Sequence, residues 1–306
     1  MNSKLYLAIL ILTLSVVLSG CKKEDVEVTI ESQTTTTRSN ETVVLTPEIT
    51  GEKTLGTSDF IVDYSNASEG YIGVTYSGDN PEVRLQAVSG DNVTYTYVVP
   101  KGEVILPLSE GSGVYNFVGY ESLAPGEYAI VFSEQADISL ENETGPYLYP
   151  NMYVDFAKDT KAVSLAKSLA ADCTCDIEVI SAVYKYVTDN IVYDHELAES
   201  VETGYLPDVD NVLETKKGIC FDYASLMAAM LRSQRIPTRL EIGYAGTAYH
   251  AWVSSYIEDI GWINGVIQFD GADWTLMDPT FAANTSSRDL KNFIGDGDNY
   301  VTKYVY

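Results

Sequence analysis

The chain has 306 residues, 45% hydrophobic and 21% charged, which suits one or two globular domains and excludes a disordered chain. Nineteen lysines and arginines against 44 aspartates and glutamates give a formal charge of −25. Nothing at that balance could neutralise a row of phosphates, so nucleic acid is excluded as a partner. The acidity fits an extracytoplasmic setting or a cationic partner, and first of all it keeps the protein soluble.

Lys4 precedes an apolar run from Leu5 to Leu18, followed by Ser19, Gly20 and Cys21. The run is short for a membrane span and has the charged-then-apolar layout of a secretory signal. Leu18-Ser19-Gly20-Cys21 resembles a bacterial lipobox. That resemblance implies a signal peptide over 1–20, lipid on Cys21, and a chain anchored to the cell membrane on its extracytoplasmic face. Residues 21–42, rich in Lys, Glu, Thr and Ser, read as a flexible tether.

From 43 to 148 the pattern is strand-like. Tyr71–Tyr76, Val83–Val88, Val93–Val99 and Tyr128–Phe132 are short, rich in β-branched and aromatic residues, and tend to alternate. Turn residues separate them, among them Ser77-Gly78-Asp79-Asn80-Pro81 and Pro100-Lys101-Gly102. Pro125-Gly126-Glu127-Tyr128 leads into the last hairpin of a small antiparallel sandwich. This half shows no catalytic constellation, so it serves spacing or binding.

Between 149 and 306 the texture changes. Val163–Leu169 reads as helix, and so does Ile177–Asn190, where Ile180, Val183, Tyr184 and Val187 share one face. Leu206–Asp210 is a loop, and Val212–Thr215 leads toward a helix at Cys220. In that helix Tyr223, Leu226, Met227, Met230 and Leu231 form a buried stripe that ends near Arg232, before Pro237. From Thr238 onward the chain alternates as strands. Helices first and strands after make an α+β domain.

Three residues carry the chemistry. Cys220 lies at or just inside its helix's N-terminus, where unpaired N–H groups favour thiolate and could hold an oxyanion. His250 follows Tyr244–Tyr249, a Gly-containing loop, and opens a strand whose one face carries His250, Trp252, Ser254 and Tyr256. Neutral imidazole is the natural base for a thiol near neutral pH. Asp278 ends the strand of Trp274 and Leu276, where a carboxylate can accept the imidazole's second N–H and fix its tautomer. Asp270 and Asp273 are decoys in the preceding turn, and His195 is a loop residue without supporting context. Two histidines and no repeated Cys/His spacing speak against a metal site. Cys173 and Cys175, one residue apart, could be a strained redox pair, free thiols or an intermolecular contact.

Lys217-Gly218-Ile219-Cys220-Phe221-Asp222-Tyr223-Ala224, then Leu231-Arg232 and Ile236-Pro237, Gly243-Tyr244, Tyr249-His250-Ala251-Trp252 and Trp274–Phe281 together resemble the transglutaminase-like superfamily of papain-like thiol enzymes. The resemblance covers roughly Ala162 to Phe281. It implies a papain-like α+β core, with the nucleophile helix packed on an antiparallel sheet. It implies acyl transfer through a Cys220 thioester, with His250 as acid and base and Asp278 as orienter, and no cofactor. Tyr193, in Ile191-Val192-Tyr193-Asp194, would assist the oxyanion. Arg235 stands where the family usually has glycine, and Val253 where it often has a polar residue, a change that could alter the cleft.

The expected protein is therefore a surface-anchored cysteine acyltransferase or peptidase, its substrate a protein or peptidoglycan peptide. The rival is a catalytically idle adaptor lipoprotein on the same fold, disfavoured because an idle fold has no use for a base aligned with a thiol. A third reading gives the main task to polymer capture by the sandwich.

Overall fold

The computed structural model describes residues 38–90, 93–258, 261–263, 267–269, 274–276 and 300–306, with backbone alone for 267–269 and 274–276. The first half contains β1 (Thr54–Gly56), β2 (Phe60–Asp63), β3 (Tyr71–Tyr76), β4 (Val83–Val88), β5 (Thr94–Val99), β6 (Gly102–Pro107), β7 (Gly113–Ala124) and β8 (Glu127–Ile138). They form two antiparallel sheets, ordered β1-β2-β3-β6 and β5-β4-β7-β8. Strict alternation explains β4: Val83, Leu85 and Ala87 point inward while Arg84, Gln86 and Val88 are half-exposed. The inner faces meet through Phe60, whose ring lies 5.2 Å from that of Phe132 across the sheets. Four strands of the sandwich escape the sequence pattern. The longest, β7, carries Gly113, Asn116, Gly119 and Ser122, which weaken a strand pattern, and its pairing with β8 shifts register after Gly119.

The second half contains α1 (Lys161–Ala170), α2 (Asp176–Asn190), β9 (Val192–Tyr193), α3 (His195–Ser200), α4 (Val209–Thr215), β10 (Lys217–Gly218) and α5 (Cys220–Ser233). Then follow β11 (Thr238–Ala245), β12 (Ala248–Ile257), β13 (Gly261–Ile263), β14 (Ile267–Phe269), β15 (Trp274–Leu276) and β16 (Tyr300–Val305). The main sheet is antiparallel in the order β13-β12-β11-β16, and β14 pairs with β15 as a separate hairpin. The fold is α+β in this half, with helices packed on an antiparallel sheet, preceded by the all-β sheets.

Helix α5 is buried on every side from Asp222 to Ser233, because β11 and β12 cover one flank and α1, α2 and α4 the others. Its far end is fixed by Arg232, 1% exposed. The guanidinium donates to the carbonyls of Thr238 at 2.9 Å, Tyr149 at 2.7 Å and Tyr306 at 2.8 Å. Helix α1 lacks a side-chain cap from its own Thr160; instead the Asp210 carboxylate accepts from the N–H groups of Lys161 and Ala162.

Several contacts set how the halves sit. Tyr95 and Tyr97 of β5 pack on the second half, with Tyr95 5.7 Å from Tyr306 and Tyr97 6.1 Å from Tyr153, ring to ring. Residues 38–42, the end of the expected tether, lie against the helices. The Arg38 guanidinium pairs with Asp176 and donates to Gln234 O, and the Arg235 guanidinium donates to Ser39 O. Arg235 itself has φ 63°, the left-handed turn that a glycine adopts freely.

Candidate active site

Cys220 is the first residue of α5, half-buried, after an extended N-cap at Ile219 (φ −92°, ψ 177°). Isoleucine has no side-chain acceptor, so the cap comes from Asp222, whose Oδ2 accepts from Ile219 N–H at 2.8 Å. Its Oδ1 accepts from the Tyr205 hydroxyl at 2.7 Å. Burial pushes the Asp222 carboxyl above the ordinary carboxylate range, and these two bonds offset part of the shift. Gly218 leaves room for that carboxylate: a Cβ there would lie 2.6 Å from Asp222 Cβ. The Gly-Ile-Cys-Phe-Asp spacing thus has a steric cause.

The short parallel pair of β9 and β10 sets Tyr193 opposite Gly218, with Asp194 N–H donating to Gly218 O at 2.9 Å. Asp194 then caps α3 by accepting from Leu197 N–H, so His195 opens a short helix rather than lying in a loop. No period marks α3 in the sequence because it has no buried residue; its one signal is Asp194 as an N-cap. His195 is exposed, its ring 5.0 Å from that of Tyr193.

His250 is the third residue of β12 and 6% exposed. The turn before it is tighter than expected. β11 continues to Ala245 and β12 starts at Ala248, leaving Gly246 (φ 61°) and Thr247 as a two-residue hairpin. His250 faces Gly243 across the pair. A Cβ on Gly243 would meet the Val301 carbonyl oxygen at 2.1 Å, so glycine here lets β16 close against β11. Trp252, two residues on, lies with its ring 6.4 Å from that of His250. Val253 is in the core at 2% exposure and pairs with Leu240, so it does not wall the cleft.

The packing of α5 on β12 brings Cys220, His250 and Tyr193 to one cleft of about 940 Å³. Phe221, Tyr249, Ala251 and Tyr306 line it beside them. Burial raises the Tyr249 phenol, and the neighbouring groups Tyr304, Tyr244 and Cys220 push it further in the same direction. Asp278, the expected orienter, lies outside the described residues, as do Asp270, Asp273 and Cys21. Cys173 and Cys175 are unbridged thiols, and burial raises the Cys173 thiol. The sandwich walls the cleft too, through Gly78–Pro81 and Val98–Lys101, a placement outside the sequence-based expectations. Those stretches read only as turns and strand, and nothing in them marks a spatial neighbour.

Residues 163–265 match the model of the transglutaminase-like superfamily. The uncharacterized protein YebA of Bacillus subtilis is 25% identical over 183 residues, 53% of this chain and 25% of that protein. The UPF0252 protein MJ1282 of Methanocaldococcus jannaschii is 32% identical over 92 residues, 26% of each. The chain thus spans about a quarter of the length of these curated relatives. Among solved structures, the periplasmic domain of TgpA from Pseudomonas aeruginosa aligns with a TM-score of 0.33 and 17% identity, over 78% of this chain and 76% of that one. That match to the transglutaminase-like superfamily spans about a third of the chain, and both Cys220 and His250 fall within it.

Proposed function

We propose that the protein is a thiol acyl-transfer enzyme acting on a carboxamide or peptide carbonyl, as a protease, an amidase or a transglutaminase. The observation that carries the reading is the opening of Cys220, in the first turn of α5, and His250, from β12, into the same cleft. His250 takes the Sγ proton, and the thiolate attacks the carbonyl carbon. First-turn N–H groups, with Tyr193, hold the oxyanion that forms. Collapse expels ammonia or an amine, which carries away the proton from His250 and leaves the acyl group as a thioester on Cys220. Water or an amine then attacks, gives its proton to His250, and restores the thiol. Asp278 accepts the second N–H of the ring and keeps the reactive tautomer.

The setting belongs to the proposal. Lipid on Cys21 holds the protein to the extracytoplasmic face of the membrane, with proteins or peptidoglycan peptides as substrates. No cofactor takes part.

The test supplies a glutamine-rich protein and a fluorescent primary amine, and follows ammonia, new amino termini and amine incorporation. At least one product is expected, lost in Cys220→Ser. Product formation that continues unchanged in that variant sinks the reading. Amine incorporation against new termini tells cross-linking from hydrolysis.

A further inference from the structure

The cleft above Cys220 is built by both halves of the chain. One wall is the sandwich, through the turn Gly78–Pro81 and the end of β5 with Pro100 and Lys101. Facing it is the stretch Val201–Leu206 that follows α3. The ring contacts of Tyr95 and Tyr97 with Tyr306 and Tyr153 hold the sandwich in this place. Tyr205, in the opposite stretch, is tied by its hydroxyl to Asp222. Both walls therefore have fixed positions relative to the nucleophile.

Their chemistry runs against that of the rest of the molecule. In a chain of formal charge −25, the charged groups lining the cleft among the described residues are Asp79, Lys101 and Glu202. Asp79 and Lys101 pair with each other at 2.9 Å. Meanwhile Val201 is 39% exposed and Leu206 38%, Pro100 is also exposed, and all three line the cleft. Solvent-facing apolar groups around a concavity mark a binding surface for an apolar group. The volume, about 940 Å³, lies near the top of the roughly 300–1,000 Å³ that pockets for drug-sized ligands span, which leaves room for several residues of a peptide.

Resting on the reading of Cys220 as nucleophile, we infer that these walls form a substrate subsite shared by the sandwich and the core. It takes a bulky apolar side chain next to the reacting carbonyl of an uncharged, extended polypeptide segment. The sandwich is thus half of the specificity pocket.

Two peptidyl chloromethyl ketones test this, one with leucine and one with glutamate beside the reactive carbonyl. In each, Cys220 Sγ bonds to the methylene carbon as chloride leaves, and the mass of the Cys220 peptide after digestion, read apart from Cys173 and Cys175, gives the rate. Burial of one leucine side chain is expected to favour the leucine probe about tenfold or more. In Pro100→Glu and Val201→Glu, exposed positions from the two opposite walls, that ratio is expected to fall below about threefold. Equal rates for both probes in the unaltered protein overturn the subsite, and so does a ratio unchanged in both variants. Iodoacetamide on the unaltered protein separates the two levels. An activated Cys220 that ignores the leucine–glutamate difference defeats the subsite alone, whereas a Cys220 no faster than an ordinary thiol defeats the enzyme reading beneath it.

Discussion

Asp222 lies over the backbone of Gly218 so closely that any side chain at 218 would start 2.6 Å from the Asp222 Cβ. That approach lets the carboxylate reach back to Ile219 N–H and fix the first turn of the helix that bears Cys220. Gly218→Ala is therefore expected to displace the cap and cost about 1–3 kcal/mol, the range of an overpacked core. A urea titration checks it; an unchanged midpoint would show that the cap has more room than this geometry allows.

Arg232 satisfies three carbonyls from three separate segments while almost fully buried. Arg232→Leu keeps an apolar body but leaves Tyr149, Thr238 and Tyr306 without these donors. A loss of about 3 kcal/mol or more is expected. Arg232→Lys, with one compact ammonium in place of a planar fork, should fall between the two. Equal stability of the leucine variant and the parent would contradict this account of how the C-terminal strand is held.

The interface tyrosines make stability sensitive to alkali. Burial raises the phenols of Tyr95, Tyr97, Tyr153 and Tyr306 above their ordinary value. The folded state then keeps these protons where the unfolded chain releases them, above about pH 10. Their contribution is intact below that pH and is lost as pH rises beyond it. Arg232, drawn down to about 9 by burial, acts in the opposite sense, one group against four. Urea midpoints should be level near neutrality and drop steeply above about pH 10. A flat profile through that range would place the tyrosines in water.

Arg235 occupies a left-handed turn at φ 63° and holds Ser39 O through its guanidinium. Arg235→Gly removes backbone strain of about 1–2 kcal/mol and a bond worth about 1 kcal/mol, so global stability should hardly move. Hydrogen exchange at Arg38 and Val43, whose N–H groups donate to Thr174 O and Ser233 O, should accelerate. Unchanged exchange there would mean that the Arg38–Asp176 pair suffices alone.

Much of the second half was legible because its elements are long and one-sided. Val179, Ile180, Val183, Tyr184 and Val187 are the buried face of α2, and four of these five mark it in the sequence. Helix α5 was legible from its apolar stripe and from the motif at its start. Short elements were not. α3 buries nothing, and β1 has three residues, too few for a period to show. In the site, Cys220, His250 and Tyr193 could be named because each sits in its own local motif. The sandwich wall could not be, since Pro100 and Val201 are about a hundred positions apart and line one cleft only in the folded chain. The role of Asp222 was hidden in a motif noticed for its pattern and explained only by the space above Gly218.

Cys220 is proposed to react as a thiolate paired with His250. This pairing is tested most directly by the pH dependence of iodoacetamide alkylation at Cys220, in the parent protein and in His250→Ala. A rate already high near pH 6 in the parent and lost in the variant is expected of a thiolate–imidazolium pair. A rate that rises only toward about pH 8.5, the ordinary thiol value, and is the same in both proteins would contradict it.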